Sequence, residues 1–304
     1  MKRKNSAFFR PVYIVREINR SGKEQKRLYH QKLREFPQLK NIYDLEPIRF
    51  KKSDTLYIFG SGPSINDISE TQWEEIRGCD SAAINNWTLH PFAPDFYFFE
   101  PSRTHKNIDD YWHNLSLQKS NYSNSIIFLK DFLNRGREND LVYLYDTHIT
   151  KDNSFPPIYA IPGLYIPYMG EEFRKYLKLY SFLSGSRSSR KFSYLFEKRG
   201  SVTTLIHFGW FMKYKRIILA GVDLNNSDYF FLHAPGKYEE KGFIVPVIPA
   251  PEKANWTMDE TIIREMTMDK VIYDLNDYLL KPSGIELFVM FKNSALYPKI
   301  PAIN

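Results

Sequence analysis

Short apolar, aromatic or β-branched runs recur along this chain, and most of them end in glycine or in small polar residues. Thr55–Phe59, Ser81–Asn85, Asp95–Phe99, Ser125–Leu129, Leu141–Tyr145, Arg216–Val222 and Ile285–Phe291 have the length and composition of buried strands. Helical signals separate them. Ser69-Glu70-Thr71-Gln72 is a capping box that opens a helix stopping near Gly78, Ser201 to Tyr214 reads as a second helix, and a third runs from about Asp259 to Leu280. Strands alternating with helices predict an α/β chain with a Rossmann-like, doubly wound, mostly parallel sheet, helices on both faces and a lid insertion at about 184–200. In such a sheet, ligands bind at the carboxyl ends of the strands.

Those ends carry the candidate residues. The first strand runs into Gly60-Ser61-Gly62-Pro63-Ser64, the second into Asn85-Asn86, and the third into Glu100-Pro101-Ser102. A later strand leads to Gly221-Val222-Asp223 with Asn225 beyond, and the last leads to Asn293-Ser294. Glycines at 60 and 62 allow a tight turn close to a phosphate, although a purely structural turn has the same composition. No Gly-Lys-Ser/Thr follows, and Pro63 lacks an amide proton, so this is not a Walker A loop. The acidic residue that holds a dinucleotide's ribose is replaced by Asn85 and Asn86. Their amides suit a neutral base or sugar hydroxyls, or simply form a turn.

Other chemistries find little support in the pattern. The seven histidines include no i,i+4 pair for zinc, no Asp-x-Asp occurs, and Cys79 is the single cysteine. Neither a metal nor another cofactor is therefore expected, so a leaving phosphate would rely on amides, hydroxyls and basic side chains. The stretch 184–200, with Arg187, Arg190, Lys191, Lys198 and Arg199, supplies such cations as a candidate lid.

The net charge of +7 is uneven. Residues 1–40 hold twelve Lys/Arg against three Glu, whereas the rest of the chain holds thirty basic and thirty-two acidic residues. Residues 1–50 read as a basic N-terminal extension and 51–304 as the Rossmann-like domain. The extension suits an anionic membrane surface, nucleic acid, or a solvated segment packed on the domain; nucleic acid is the least expected of the three. No apolar run has the length of a membrane span, so the expected location is cytoplasmic, peripheral on the inner face of the membrane.

Taken in register, Gly60-Ser-Gly-Pro-Ser, Asn85-Asn86, Ser201 opening a helix, Tyr214-Lys-Arg-Ile-Ile-Leu-Ala-Gly-Val-Asp223 and Asn293-Ser294 resemble the bacterial lipooligosaccharide sialyltransferases. More broadly, they look like transferases of CMP-activated ulosonic and nonulosonic acids. The resemblance covers roughly residues 53–298 and implies a metal-independent transfer of a sialic acid-like or Kdo-like sugar. The donor would be a CMP-sugar and the acceptor a glycan or glycolipid of the bacterial surface, such as lipopolysaccharide or capsule. By the same resemblance Gly60, Ser61, Gly62, Pro63 and Ser64 lie near the CMP phosphate, and Asn85, Asn86, Asn293 and Ser294 near the nucleotide. Ser201, with Thr203 in the same helix turn, lies near the donor carboxylate, while Ser102, Gly221 and Asn225 line the donor site.

Three departures bear on mechanism. Where the family has Asn-Pro-Gly after strand three, this chain has Glu100-Pro101-Ser102. Only Tyr229 stands near the position of the family's two phosphate-binding tyrosines. The stretch that carries the family's catalytic histidine is Asn255-Trp-Thr-Met258. Two routes are open. In one, His233 is a general base for direct inversion. In the other, Asp223 is a nucleophile with Glu100 as its acid/base partner, giving retention, which the gain of a glutamate and the loss of a base favour. Because the Gly-x-Gly-Pro-Ser opening also resembles pterin-diphosphokinase-like proteins, an ATP- and Mg²⁺-dependent diphosphokinase is an alternative. A nucleotide- or RNA-binding protein using the basic arm is another.

Overall fold

A computed structural model describes residues 23–101, 104–152, 154–166, 168–185, 195–225, 228–247 and 266–303. Eight strands form one sheet in which every pairing is parallel. They are β1 (Lys40–Asn41), β2 (Thr55–Phe59), β3 (Asp80–Ile84), β4 (Phe96–Phe99), β5 (Ile126–Leu129), β6 (Ile158–Ala160), β9 (Arg216–Ala220) and β10 (Glu286–Val289), in the order β1-β6-β5-β4-β3-β2-β9-β10. β7 (Gly163–Tyr165) and β8 (Leu195–Glu197) pair separately. The fold is therefore the Rossmann-like α/β class that the alternation predicts.

Strands β2 to β5 are buried along their whole length, which is why they read as unbroken apolar runs rather than alternating ones. From β2 the chain steps outward through β3, β4, β5 and β6, then returns to lay β9 on the other side of β2. With right-handed crossovers, α2 (Glu70–Arg77), α3 (His105–Leu117) and α4 (Glu138–Leu144) cover one face, and α6 (Ser201–Phe211) and α8 (Met268–Leu275) the other. As that arrangement requires, α6 and α8 pack on each other. The remaining helices are α1 (23–33), α5 (Gly170–Gly185) and the short α7 (Pro235–Glu239).

Local signals act as expected at α2, where Ser69 and Gln72 make both bonds of the capping box and Gly78 ends the helix. Leu141–Tyr145 does not form the predicted strand. Leu141, Leu144 and Tyr145 are the buried positions while Val142 is exposed, and this i, i+3, i+4 spacing builds α4 and the helical turn Tyr145–Ile149. The strand that follows on that side of β5 is β6, only three residues long and preceded by Pro156-Pro157. Of the helix predicted over 259–280, residues 268–280 are helical and 259–265 lie outside the described residues.

Residues 23–50, grouped by charge with the basic extension, are part of the body. Tyr29, Phe36, Leu39, Ile42 and Leu45 are buried, and the Tyr29 hydroxyl donates to Ala160 O (3.0 Å) while accepting from Ile42 N (2.9 Å). Residues 1–22 and, within the candidate lid, 186–194 lie outside the described residues.

Two histidines are set by backbone contacts of the fold, one of them in the core. His207 is fully buried, its Nδ1 accepts from Phe196 N (3.2 Å), and desolvation lowers its pKa to about 3. Desolvation does the same to His90, whose Nδ1 accepts from Phe92 N. Because the folded pKa lies below the unfolded value, the unfolded chain binds protons first. Stability is then complete above about pH 6.5 and falls as the pH drops towards 3. Urea titrations at pH 7.5 and pH 5 test this: His207 alone should account for a loss of about 2 kcal/mol at pH 5. His207→Asn, which keeps an acceptor for Phe196 N, should remove that part of the pH dependence.

Candidate functional site

β2 and β9 are neighbours, yet the chain leaves them in opposite directions across the sheet, so a crevice opens beyond their carboxyl ends. The two following loops zip together. Gly60 N donates to Ala220 O and Gly62 N to Gly221 O, both at 2.8 Å. A Cβ on Gly60 would overlap Gly221 O, and one on Gly62 would overlap the Asp223 carboxylate. Gly221 has φ +66°, and a Cβ there would stand 2.6 Å from Ile65. The glycines are therefore required by the contact between the loops, whatever the crevice binds.

Asp223 forms the floor. It is buried and accepts from Ser64 N (3.0 Å) and Ser64 Oγ (2.5 Å) at the start of the Pro63–Asp67 turn. A third loop clamps the second: Ser294 Oγ donates to Val222 O (2.8 Å), Ala295 N to Asp223 O (2.8 Å) and Asn225 Nδ2 to Asn293 O (2.5 Å). From the other side, Phe230 N donates to Ser61 O and Asn66 Nδ2 to Phe230 O, both at 2.9 Å. Of the predicted residues, Gly60, Ser61, Gly62, Pro63, Ser64, Gly221, Asp223, Asn225, Asn293 and Ser294 are thus drawn together.

Of these, Pro63, Ser64, Asp223, Asn225 and Asn293 line a cleft of about 450 Å³, together with Asn66, Asp67, Asp228, His233, Lys237 and Tyr238. The NH₂ groups of Asn66 and Asn225 are used on backbone carbonyls, which leaves their Oδ1 atoms and the carboxylates of Asp67 and Asp228 as acceptors. Such a wall suits a ligand rich in hydroxyl or amino donors. Lys237 is the one Lys or Arg among the described residues lining the cleft, and marks where an anionic group is best accommodated. Tyr238 stays a phenol, because burial raises its pKa.

Asn85 and Asn86 are not among the residues that line the cleft. Asn85 has φ +53° and begins the turn Asn85–Leu89, and its carbonyl accepts from Tyr97 Oη (2.5 Å). The turn is set by Trp87, stacked on Phe59 at 4.4 Å and on His90 at 4.5 Å.

A second polar cluster forms farther along the same edge. Lys130, directly after β5, is 3% exposed; its Nζ donates to Ser201 Oγ (2.9 Å), Glu100 Oε2 (3.3 Å) and Glu197 Oε2. Arg137 stands 3.7 Å from both Glu100 and Asp131. Burial alone would lower the Lys130 pKa, but Glu197, Glu100 and Asp131 outweigh it and hold the ammonium above its usual range. Burial pushes Glu197 up against the pull of Lys130. Oxygens of Glu100, Asp131 and Glu197 lie within 4.8 Å of one another, a spacing that suits a metal ion, but here the cation among them is the lysine.

Thr203, fully buried, clamps its own loop: Oγ1 accepts from Lys198 N (3.0 Å) and lies 2.7 Å from Gly200 O, to which it donates. Ser102 lies outside the described residues. Glu100 and Asp223 are not brought together: β4 and β9 are three strand spacings apart, about 14 Å. His233 is exposed on the cleft wall. Asp67, Asp228, Lys237 and Lys130 were not singled out from the sequence. Lys130 had a signal, a lysine ending an apolar strand at the edge where site residues gather.

No family model matches the chain, and no curated protein matches it. Among solved structures it is similar to the monofunctional alpha-2,3-sialyltransferase Cst-I from Campylobacter jejuni, at 17% identity and a TM-score of 0.45, over 82% of this chain and 80% of that one.

Substitution tests the packing of the turn. Gly60→Ala should destabilise the protein by about 1–3 kcal/mol through its clash with the Gly221 carbonyl, whereas Gly236→Ala, with open space around it, should change little. Denaturant unfolding of the two variants checks this.

Proposed function

We propose that the chain is a glycosyltransferase that moves an acidic ulosonic or nonulosonic sugar, Kdo-like or sialic acid-like, from a CMP-activated donor to a bacterial surface glycan. The observation that carries this reading is the place of the Gly60–Ser64 turn. Three of the motifs that resemble CMP-sugar transferases, the Gly60–Ser64 turn, the run ending at Asp223 and Asn293-Ser294, meet at the switch point of the sheet, around one cleft with Asp223 as its floor. Ribose hydroxyls and a base amine match the acceptors of the cleft wall, and Lys237 offers the charge for the phosphate.

The geometry favours direct displacement over the two-carboxylate route. A retaining pair needs carboxyl groups about 5–5.5 Å apart, and Glu100 stands about 14 Å along the sheet from the Asp223 strand. Both Asp223 oxygens are also engaged by Ser64. His233 is then the base that takes the proton of the acceptor hydroxyl as that oxygen attacks the anomeric carbon and CMP departs. In this reading no metal takes part; Lys237 carries the charge of the leaving phosphate. The basic N-terminal segment would hold the enzyme at an anionic membrane, where lipid-linked acceptors are. No helix among the described residues is long and apolar enough to cross one.

Release of CMP from CMP-sialic acid and CMP-Kdo in the presence of EDTA tests the reading. Wild type should turn over in EDTA. His233→Ala should lose about 10²–10⁴-fold in kcat with CMP affinity retained, and Asp223→Ala should lose CMP binding through collapse of the floor. No CMP binding by wild type, or turnover that needs ATP and Mg²⁺, would overturn the proposal in favour of a diphosphokinase-like enzyme; steeply salt-dependent RNA binding without turnover would favour the binding protein.

A further inference from the structure

The cleft wall that carries His233, Lys237 and Tyr238 belongs to one stretch of chain, residues 228–247, whose hydrogen-bonded anchors stand at its two ends. At the near end, the two bonds of Phe230 tie it to Ser61 and Asn66 in the loop after β2. Between 231 and 241, no hydrogen bond among the described residues joins the stretch to the rest of the fold; the bonds there, such as Lys237 N to Ala234 O and Lys241 N to Tyr238 O, are its own. Its helix α7 has five residues, too few to hold a position without tertiary support.

The far end rests on α3. Asn114, 4% exposed, turns its whole amide on the backbone of Ile244: Nδ2 donates to Ile244 O and Oδ1 accepts from Ile244 N, both at 2.8 Å. A buried amide has to be hydrogen-bonded, and this pair copies what a neighbouring strand would offer Ile244. Turning the amide over would set NH₂ against N–H and oxygen against oxygen, so the pair fixes one register. His113 Nε2 adds a bond to Gly242 O (2.9 Å), where the backbone has φ +82°. Phe243 N reaches back to Tyr238 O (3.1 Å) and carries the anchor into α7. Four residues beyond Asn114, Gln118 Nε2 donates to His90 O (3.1 Å), and the His90 ring meets Phe230 edge-on at 5.7 Å. One end of α3 thus supports both ends of the wall.

We propose that Asn114 is a positioning residue of the cleft: by pairing with Ile244 it fixes the far end of residues 228–247 and so sets where Lys237 and His233 stand. Asn114 is not itself among the residues that line the cleft. The inference rests on the CMP-sugar reading above, in which Lys237 meets the phosphate. A shift of about 1 Å in the wall is enough to misplace such a charge.

Calorimetry on the full-length protein with CMP and with cytidine tests it, because the two ligands differ by the phosphate alone. Lys237→Met should weaken CMP about tenfold or more and leave cytidine within about twofold, the loss expected for a charge-assisted hydrogen bond. Asn114→Leu keeps the branched shape and removes both bonds to Ile244; it should weaken CMP about three- to tenfold with cytidine again within about twofold. A general loosening of the fold would weaken the two ligands alike. Because Asn114 acts through Lys237, Asn114→Leu should add nothing in the Lys237→Met background. Should Asn114→Leu not fold, His113→Ala, at an exposed position, removes the neighbouring anchor and should weaken CMP selectively by about threefold. An unchanged ratio of CMP to cytidine affinity in the variant that folds, or a loss that adds to that of Lys237→Met, would overturn the inference and leave the cleft assignment standing. Equal affinity of the wild type for CMP and cytidine would overturn the role of Lys237 and the inference with it. A wild type that binds neither ligand would overturn the function proposed above as well, so the failures are told apart.

Discussion

The contact between the loops after β2 and β9 is the constraint on which the site depends. Neither loop could come so close with a side chain at Gly60, Gly62 or Gly221, and only at that distance does the Asp223 carboxylate reach both the amide and the hydroxyl of Ser64. The buried carboxylate is thereby satisfied without a cation, and the turn is held open against the Phe230 segment by two further hydrogen bonds. The topology supplies the crevice, and the glycines let its walls meet at the base.

Much of this was legible in the sequence because it is written in local patterns. Six of the seven runs read as strands are strands, and the residues at the ends of β2 and β9 converge as the doubly wound topology requires. The exception, Leu141–Tyr145, is too short for composition to separate strand from helix; its burial pattern shows the helical period only once the neighbouring layer is known. Charge was misleading at 23–50. The basic residues there are surface positions of segments whose Tyr29, Phe36 and Ile42 are core, and an excess of one sign does not reveal which face is buried.

What the sequence could not give was distance across the sheet. Glu100 and Asp223 are both acids at strand ends, and nothing in their spacing along the chain says that two strands lie between them. The pairing of Glu100 with Lys130 across neighbouring strands is likewise a product of the sheet order, as is the arrival of Glu197 and Ser201 from the return crossover. Among the described residues, the carboxyl edge of the sheet thus holds two polar centres. One, between β2 and β9, is rich in acceptors and open; the other, around Lys130, sets three carboxylates against two cations.

The cleft between β2 and β9 is the site proposed here for the nucleotide. A crystal structure of the protein soaked with CMP decides whether the nucleotide binds there. The phosphate should lie against the Gly60–Ser64 turn within reach of Lys237, and the ribose and base along Asn66, Asn225 and Asn293. CMP found instead at the Lys130 cluster, or a cleft left empty at saturating ligand, would contradict it.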